Sequence, residues 1–266
     1  MAYHYETLEV ELKDHICTIA LNRPARRNAL NPQGYADLEA AFRAVQADPE
    51  VRVVVLTGRD PAFCAGEDVK EMMTGKPAPD SHARLRQPRP SMTPAAEAIL
   101  RCDRPIIAAV NGVAVGWGMD LSLLADMRIA STEARFASLF VKRGLITDLG
   151  GLWRLPKLVG PERAAELIFS GRMIDAPEAA ALGMVMEVIP HDDLLARAGA
   201  LAASIAENPP LAVRYLKEGL RRSTWSDPEP LGSWISQTLG VLFATDDHRE
   251  GVASFLEKRP PQFKGR

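Results

Sequence analysis

The chain has 266 residues, of which 47% are hydrophobic and 25% are charged, a composition typical of soluble globular domains and unlike that of disordered or fibrous chains. Its 32 basic and 34 acidic residues give a net charge of -2, so the overall field favours neither nucleic acid nor an anionic membrane as a partner. Residues 1–11 lack the apolar run of a secretory signal, and no stretch approaches the roughly 18 apolar residues of a membrane span.

The cysteines and histidines argue against a disulfide framework and against a metal site. Cys17, Cys64 and Cys102 are few, scattered and odd in number, so we expect free thiols and a cytoplasmic location. The five histidines show no HxxxH or HExxH spacing, so we expect no protein-built metal site.

Strands and helices alternate in the first part of the chain. Ile16 to Leu21 and Val51 to Thr57 are rich in β-branched residues, which predicts two buried strands. Between them Asn31 can cap a helix that has Pro32 in its first turn. A strand, a helix and a strand in succession predict a parallel pair with a right-handed crossover.

The same pattern continues downstream and predicts an α/β core. The helices are predicted at Ala95 to Cys102 and Gly118 to Ala125, and the strands at Ile106 to Val110, Met127 to Ala130 and Met184 to Ile189. Helical patterns dominate the last part, at Pro161 to Ser170, Asp192 to Glu207, Leu211 to Arg222, Leu231 to Phe243 and Asp247 to Lys258. We therefore expect an α/β core over residues 1–200 and a helical region over 201–266.

A proline-rich stretch, Gly75 to Pro94, has no apolar periodicity and predicts a surface excursion. Such a loop could act as a lid over a ligand, and an insertion without function is an equally good interpretation.

Two glycine-containing turns carry the main chemical signal, since each follows a predicted strand and precedes a predicted helix. The first is Pro61 to Lys70, where Asp68 can cap the helix, and the second is Asn111 to Asp120. Gly116 and Gly118 do not complete a dinucleotide fingerprint, because its sixth position is Leu121. Two such turns close in space could aim two backbone N–H groups at one carbonyl oxygen.

At these residues the sequence resembles the crotonase (enoyl-CoA hydratase/isomerase) superfamily. The matching motifs are Asn22-Arg23-Pro24 with Asn28-Ala29-Leu30, Phe63-x-Ala65-Gly66-x-Asp68, Ala109-Val110-Asn111-Gly112 with Gly116-x-Gly118, Ala125-Asp126-x-Arg128-Ile129-Ala130, Gly150-Gly151, Ala179 to Val185 and Phe255 to Arg259. The resemblance implies a spiral of ββα repeats with a C-terminal helical trimerisation region. It also implies a homotrimer or a hexamer built from two trimers.

The resemblance further implies an acyl-CoA thioester as substrate, with coenzyme A entering as part of that substrate and no permanently bound cofactor. Its oxyanion hole would use the backbone N–H groups of Glu67 and Trp117. The expected contacts to CoA are Arg26, Arg27, Ala65, Gly66, Asp68 and Lys258. For each of the basic residues taken alone, a solvated surface charge is the alternative interpretation.

The sequence departs from the family pattern at the catalytic carboxylates. Typical hydratases of the family carry one glutamate at the position of Asp120 and another at the position of Phe140. Phenylalanine cannot transfer protons, which puts the two-carboxylate addition of water in doubt. Asp148 stands where several double-bond isomerases of the family carry a catalytic aspartate, and it could instead cap a helix starting near Gly150.

The leading hypothesis is therefore an enoyl- or dienoyl-CoA double-bond isomerase, with Asp148 as the proton shuttle and Asp120 as a second acid/base or water-orienting group. We expect Phe140, Leu145 and Trp153 to bury Asp148. The main alternative is an enoyl-CoA hydratase that uses Asp120 and Asp148 with water between them. Further alternatives are an aryl-CoA dehalogenase with Asp148 as nucleophile, and a non-catalytic CoA- or RNA-binding member.

Overall fold

Runs of aliphatic residues form two β-sheets in the computed structural model, which describes residues 4–73 and 92–266. The strands in chain order are β1 (Leu8–Lys13), β2 (Ile16–Leu21), β3 (Val53–Gly58), β4 (Ala62–Cys64), β5 (Ile106–Val110), β6 (Val113–Val115), β7 (Met127–Ser131), β8 (Arg135–Ala137), β9 (Ile174–Asp175) and β10 (Glu187–Ile189). The larger sheet has the order β1-β2-β3-β5-β7-β10, and the smaller has the order β4-β6-β8-β9. All neighbouring strands are parallel except the pairs β1–β2 and β8–β9.

The helices surround these sheets and form the last part of the chain. They are α1 (Pro32–Ala47), α2 (Val69–Met73), α3 (Pro94–Arg101), α4 (Trp117–Leu124), α5 (Leu155–Val159), α6 (Pro161–Ser170), α7 (Ala176–Ala181), α8 (Leu194–Ala206), α9 (Pro210–Ser223), α10 (Pro228–Phe243) and α11 (Asp246–Glu257). Asn31 caps α1 as predicted, because its Oδ1 accepts the N–H of Gly34 at 2.9 Å. No helix in the described ranges is long and apolar enough to cross a membrane.

A repeated unit links the two sheets. Each of β3, β5 and β7 in the larger sheet is followed after a short turn by a strand of the smaller sheet, namely β4, β6 and β8. A helical segment comes next in each unit: α2, α4 and a 3-10 turn at Leu139–Arg143. This confirms the predicted spiral of ββα repeats.

The larger sheet is buried on both faces around β3, every residue of which is buried. Val53 and Val55 face α8 and pack with its Leu194 and Ala198, whereas Leu56 belongs to the core on the opposite face. This follows from the two-residue period of a strand, which sends successive side chains to opposite sides. The predicted domain boundary at residue 200 falls inside α8, whose Ala198 and Ala202 are both buried against the sheet.

The motif around Asp126 and Arg128 has a structural role. The buried Arg128 guanidinium donates to the carbonyl oxygens of Ala125 at 2.6 Å and Met184 at 2.9 Å. Asp126 accepts the N–H of Ile106 at 2.8 Å and pairs with the Lys217 ammonium at 2.7 Å. These bonds tie the ends of β5 and β7 to α9, so the C-terminal helices are anchored to the sheet.

Some predicted elements differ from the structure. The strand predicted over Met184 to Ile189 is shorter, because Met184 and Val185 lie in a buried turn before β10. The predicted lid, Gly75 to Pro94, lies outside the described residues except for its last three positions, and Pro94 begins α3.

Gly118 allows the first turn of α4 to lie against β4, and this contact can be tested. A Cβ atom added at Gly118 would lie 2.0 Å from the backbone oxygen of Cys64. We expect Gly118→Ala to lower the free energy of unfolding by about 3 kcal/mol, measured by urea denaturation, because backbone atoms must shift. Gly199→Ala in α8 is the matched control, since nothing lies within 4 Å of its added Cβ. The control should raise the free energy of unfolding by about 0.5–1 kcal/mol. Equal effects of the two changes would contradict the close contact between Gly118 and the backbone of Cys64.

Candidate active site

The two glycine turns identified in the sequence lie against each other. Gly66 has φ +85 and Gly116 has φ +55, a left-handed region that favours glycine. A Cβ on Gly66 would lie 2.7 Å from the oxygen of Val115 and 3.4 Å from the nitrogen of Trp117. The two turns are therefore in backbone contact, and no larger residue fits at Gly66 without moving them apart.

Backbone hydrogen bonds hold each turn and leave two donors free. In the first turn Leu30 donates to the oxygen of Gly66 at 2.8 Å, and Asp68 donates to the oxygen of Leu30 at 2.7 Å. In the second turn Gly116 donates to the oxygen of Ala137 at 2.9 Å. The N–H groups of Glu67 and Trp117 donate to no acceptor within residues 4–73 and 92–266. These are the two N–H groups that the sequence predicted for an oxyanion hole.

A small cleft of about 60 Å³ opens between the two turns. It is lined by Ala65, Gly66, Glu67, Val69, Gly116, Trp117, Leu139, Phe140, Arg143 and Leu145. Four predicted site residues therefore share one cleft, and Phe140 forms part of its apolar wall. Because two free N–H groups lie beside apolar side chains, the cleft suits a carbonyl oxygen attached to an apolar chain.

Asp148 lies next to this cleft and is held by three donors. Its Oδ2 accepts the indole N–H of Trp117 at 3.0 Å and the hydroxyl of Thr93 at 3.0 Å. Its Oδ1 accepts the N–H of Leu149 at 2.8 Å. Two of the donors come from other elements, and the π-helical turn at Gly150–Arg154, whose N-cap residue is Leu149, has no side-chain cap hydrogen bond. The half-buried Asp148 is thereby fixed beside Trp117, a residue of the cleft wall.

Asp120 is buried behind the backbone of the segment that carries Asp148, being only 1% exposed. Its carboxylate accepts the Thr147 hydroxyl at 2.8 Å and the N–H of Asp148 at 2.7 Å. Burial raises the pKa of Asp120 to about 7, opposed by hydrogen bonds from Thr147 and the N–H groups of Asp148 and Gly151. Neither aspartate lines the cleft itself; Asp120 is sealed from solvent, whereas Asp148 is half-buried and contacts the cleft-lining Trp117.

Tyr35 connects the side chains of Glu67 and Trp117, the two residues predicted to form an oxyanion hole. Its hydroxyl donates to Glu67 Oε1 at 3.3 Å, and its ring meets the Trp117 ring edge-on with centroids 4.9 Å apart. Burial, followed by the charge of Glu67, raises the pKa of Tyr35 above its usual range. Tyr35, Thr93 and Thr147 were not among the predicted site residues, because no motif in the sequence marks them.

The predicted CoA contacts are only partly brought together. Arg26 and Arg27 are exposed, and the oxygen of Arg27 accepts the N–H of Ala65 at 3.0 Å, which places this basic pair beside the cleft. The geometry gives Asp68 different partners, since its buried carboxylate pairs with Arg23 at 3.3 Å and accepts the N–H of Glu71. No described contact joins the exposed Lys258, at the end of α11, to the cleft.

Trp153 does not bury Asp148 as expected from the sequence. Its ring stacks on Trp225 with centroids 5.8 Å apart, and the Lys157 ammonium lies 3.5 Å from the Trp225 centroid. Phe140 and Leu145 line the cleft. In the described part of the chain, no group of three or more His, Cys, Asp or Glu residues is arranged to hold a metal ion. Cys17, Cys64 and Cys102 are free and buried.

Comparison with known proteins places this geometry in a family. The family model described as "Enoyl-CoA hydratase/isomerase" matches residues 11–266. The chain belongs to the enoyl-CoA hydratase/isomerase family. A probable enoyl-CoA hydratase of Rhodobacter capsulatus is 38% identical over 267 residues, covering 100% of both chains. The crystal structure of an enoyl-CoA hydratase from Bacillus anthracis superposes with a TM-score of 0.90 at 34% identity, covering 98% of this chain and 100% of that one.

Membership of the family confirms the crotonase resemblance, and this family acts on CoA thioester substrates. The names of the relatives favour a hydratase over an isomerase, so the comparisons do not confirm the predicted preference for isomerisation. One relative has a different activity in its name: the 1,2-epoxyphenylacetyl-CoA isomerase of Escherichia coli is 34% identical, covering 94% of this chain and 95% of that protein.

The raised pKa of Asp120 predicts a pH dependence of stability. The folded state holds a proton up to about pH 7, whereas an exposed aspartate releases it near 3.9. The stabilisation from this proton is complete below about pH 4 and is lost as the pH rises through 7, at most about 4 kcal/mol in all. We would measure the free energy of unfolding of the wild type and of Asp120→Asn by urea denaturation from pH 4.5 to 8. The difference between the two, wild type minus variant, should fall as the pH rises through 7. A difference curve that is flat over this range would contradict the assignment.

Proposed function

We propose that this family member binds an acyl-CoA thioester with the carbonyl oxygen between the N–H groups of Glu67 and Trp117. Negative charge develops on that oxygen when a proton leaves a neighbouring carbon, and two fixed donors stabilise it. Trp117 begins α4, so the positive end of the helix dipole lies at its N–H and further stabilises the negative charge on the carbonyl oxygen. The exposed Arg26 and Arg27 would meet the phosphates of CoA, since they flank the cleft and carry no acidic partner in the described residues.

We propose further that Asp148 moves the proton and that the reaction is the shift of a double bond in an enoyl- or dienoyl-CoA. The observation that carries this proposal is the bond between Asp148 and the indole N–H of Trp117. The indole side chain separates the backbone N–H of Trp117 from the Asp148 carboxylate, which supports a role for Asp148 at carbons beyond the carbonyl. Shuttling a proton between two carbons needs one base, and Phe140 removes the second carboxylate that relatives use to add water.

A hydratase is the second candidate, and the names of the relatives support it. The structure offers a carboxylate for this chemistry that differs from the predicted Asp120. Glu67 lines the cleft, and Tyr35 holds one of its carboxylate oxygens. A hydratase would use Glu67 and Asp148 to activate water and deliver the proton, and both side chains would then be essential.

Substitution of the two carboxylates distinguishes these activities. We expect Asp148→Asn to slow the turnover of a 3-enoyl-CoA to a 2-enoyl-CoA by a factor of about 10² or more, because asparagine cannot accept the proton. Binding of the acyl-CoA, measured by calorimetry, should change little. Glu67→Gln should retain most isomerase activity, since its backbone N–H remains.

The same variants show which outcome would reject each candidate. Wild-type protein that hydrates 2-enoyl-CoA rapidly, never shifts a 3-enoyl bond and loses hydration in Glu67→Gln would establish the hydratase. An Asp148→Asn variant with full activity on every thioester tested would remove Asp148 from both mechanisms.

We also propose that the protein assembles as a trimer or as a hexamer built from two trimers. The C-terminal helices expose large apolar side chains, among them Leu216 at 66%, Leu220 at 73% and Phe255 at 82%. A soluble monomer rarely leaves so much apolar surface uncovered. Family members assemble through this region, according to the resemblance described above.

Light scattering at micromolar concentration tests the assembly. We expect a mass of three or six chains, and Leu220→Glu together with Phe255→Glu should lower it because charges would be buried at the interface. A wild-type monomer with full activity would contradict the proposed assembly.

A further inference from the structure

We infer that the Trp117 side chain is a positioning residue for Asp148, so that one residue both stabilises the oxyanion and orients the proton-shuttling carboxylate. This inference rests on the proposed function. Trp117 lines the cleft, and its indole N–H donates to Asp148 Oδ2 at 3.0 Å. The position between two glycines needs only a backbone donor, so the indole is an additional feature of this chain.

Contacts other than the hydrogen bond to Asp148 hold the Trp117 ring in place. The residue is 3% exposed and belongs to the main hydrophobic core. The edge-on contact with Tyr35, at an interplanar angle of 74°, limits rotation of the ring. An indole nitrogen is a donor only, so this rigid group imposes a direction on the carboxylate oxygen that it contacts.

The donors divide the two oxygens of Asp148 into different roles. Oδ2 accepts from both Trp117 and Thr93, and Oδ1 accepts only the N–H of Leu149 within the described residues. Each carboxylate oxygen has about two lone-pair sites. Oδ2 is therefore filled, and Oδ1 keeps one lone pair that can accept a proton from the substrate.

This division suits a proton shuttle between two carbons. Oδ1 takes the proton from one carbon, the C–H electron pair becomes part of the enolate, and negative charge moves to the thioester oxygen. The new O–H of Oδ1 then gives the same proton to a carbon further along the chain, as the enolate electrons return. Throughout, the donors on Oδ2 oppose rotation of the carboxyl group, which would otherwise turn the proton away.

Removal of the indole N–H tests this role. Trp117→Phe retains the backbone N–H and an aromatic ring against Tyr35 but loses the donor to Asp148. We expect the turnover rate for double-bond isomerisation to fall by a factor of about 10, with little change in KM, because one hydrogen bond to a charged group is lost. The acid limb of the pH profile should move to higher pH, since the ionised carboxylate loses a stabilising donor. Thr93→Val should move that limb in the same direction.

Controls separate this inference from the proposed function and from a loss of folding. Trp234→Phe removes an indole from α10, away from the cleft, and should leave both the turnover rate and the pH profile unchanged. If Trp117→Phe fails to fold, replacement of Trp117 by benzothienylalanine preserves the bicyclic ring and exchanges the N–H for sulfur. A folded variant of either kind with wild-type turnover and pH profile would overturn the positioning role, provided that Asp148→Asn is inactive. Full activity of Asp148→Asn would instead reject the proposed function itself.

Discussion

The backbone contact between the Gly66 and Gly116 turns is the constraint on which the candidate site depends. Each turn belongs to a different ββα unit, and each ends with an N–H that has no acceptor in the described part of the chain. Their approach requires that side chains be absent at Gly66 and Gly118, where an added Cβ would meet backbone oxygen at 2.7 Å and 2.0 Å. Because backbone atoms supply the donors, the side chains of Glu67 and Trp117 are free for other tasks, and both contact further polar or aromatic groups of the site.

Two aspartates illustrate how environment assigns different roles to the same side chain. Asp120 is sealed under the segment that bears Asp148 and holds this segment by accepting hydrogen bonds from the Thr147 hydroxyl and the backbone N–H of Asp148. The close approach of Gly150, whose added Cβ would lie 2.3 Å from the Asp120 Cα, leaves no space for a substrate there. Asp148 is the half-buried partner of Trp117. Under the proposed function, the buried carboxylate fixes geometry and the half-buried one moves the proton.

Sequence patterns predicted five of the six strands of the larger sheet, all but β1, and none of the strands of the smaller sheet. β2, β3, β5 and β7 are runs of five or six residues with apolar character on both faces, which is a strong local signal. The strands of the smaller sheet have only two or three residues each, too few to show a period: β4, β6, β8 and β9. They form because successive repeats of the spiral bring them side by side. Likewise, spacing and motif identified Glu67, Trp117 and Asp148. It could not identify Thr93 or Tyr35, because their contacts with Asp148 and Glu67 depend on side-chain directions set by tertiary packing.

The complete burial of β3 bears on how the strands find their alignment. A strand with apolar side chains on both faces can slide by two residues and still bury the same kinds of groups. Polar contacts at its carboxyl end remove this ambiguity: Thr57 Oγ1 donates to the oxygen of Ala109 at 2.9 Å, and Gly58 donates to Asn111 Oδ1 at 3.3 Å. These contacts fix the register of β3 relative to β5 near the point where the two turns begin. A slipped pairing would leave buried polar groups unmatched and would also move the N–H groups of Glu67 and Trp117 apart. The same few atoms therefore favour both the correct strand alignment and the contact between the two turns.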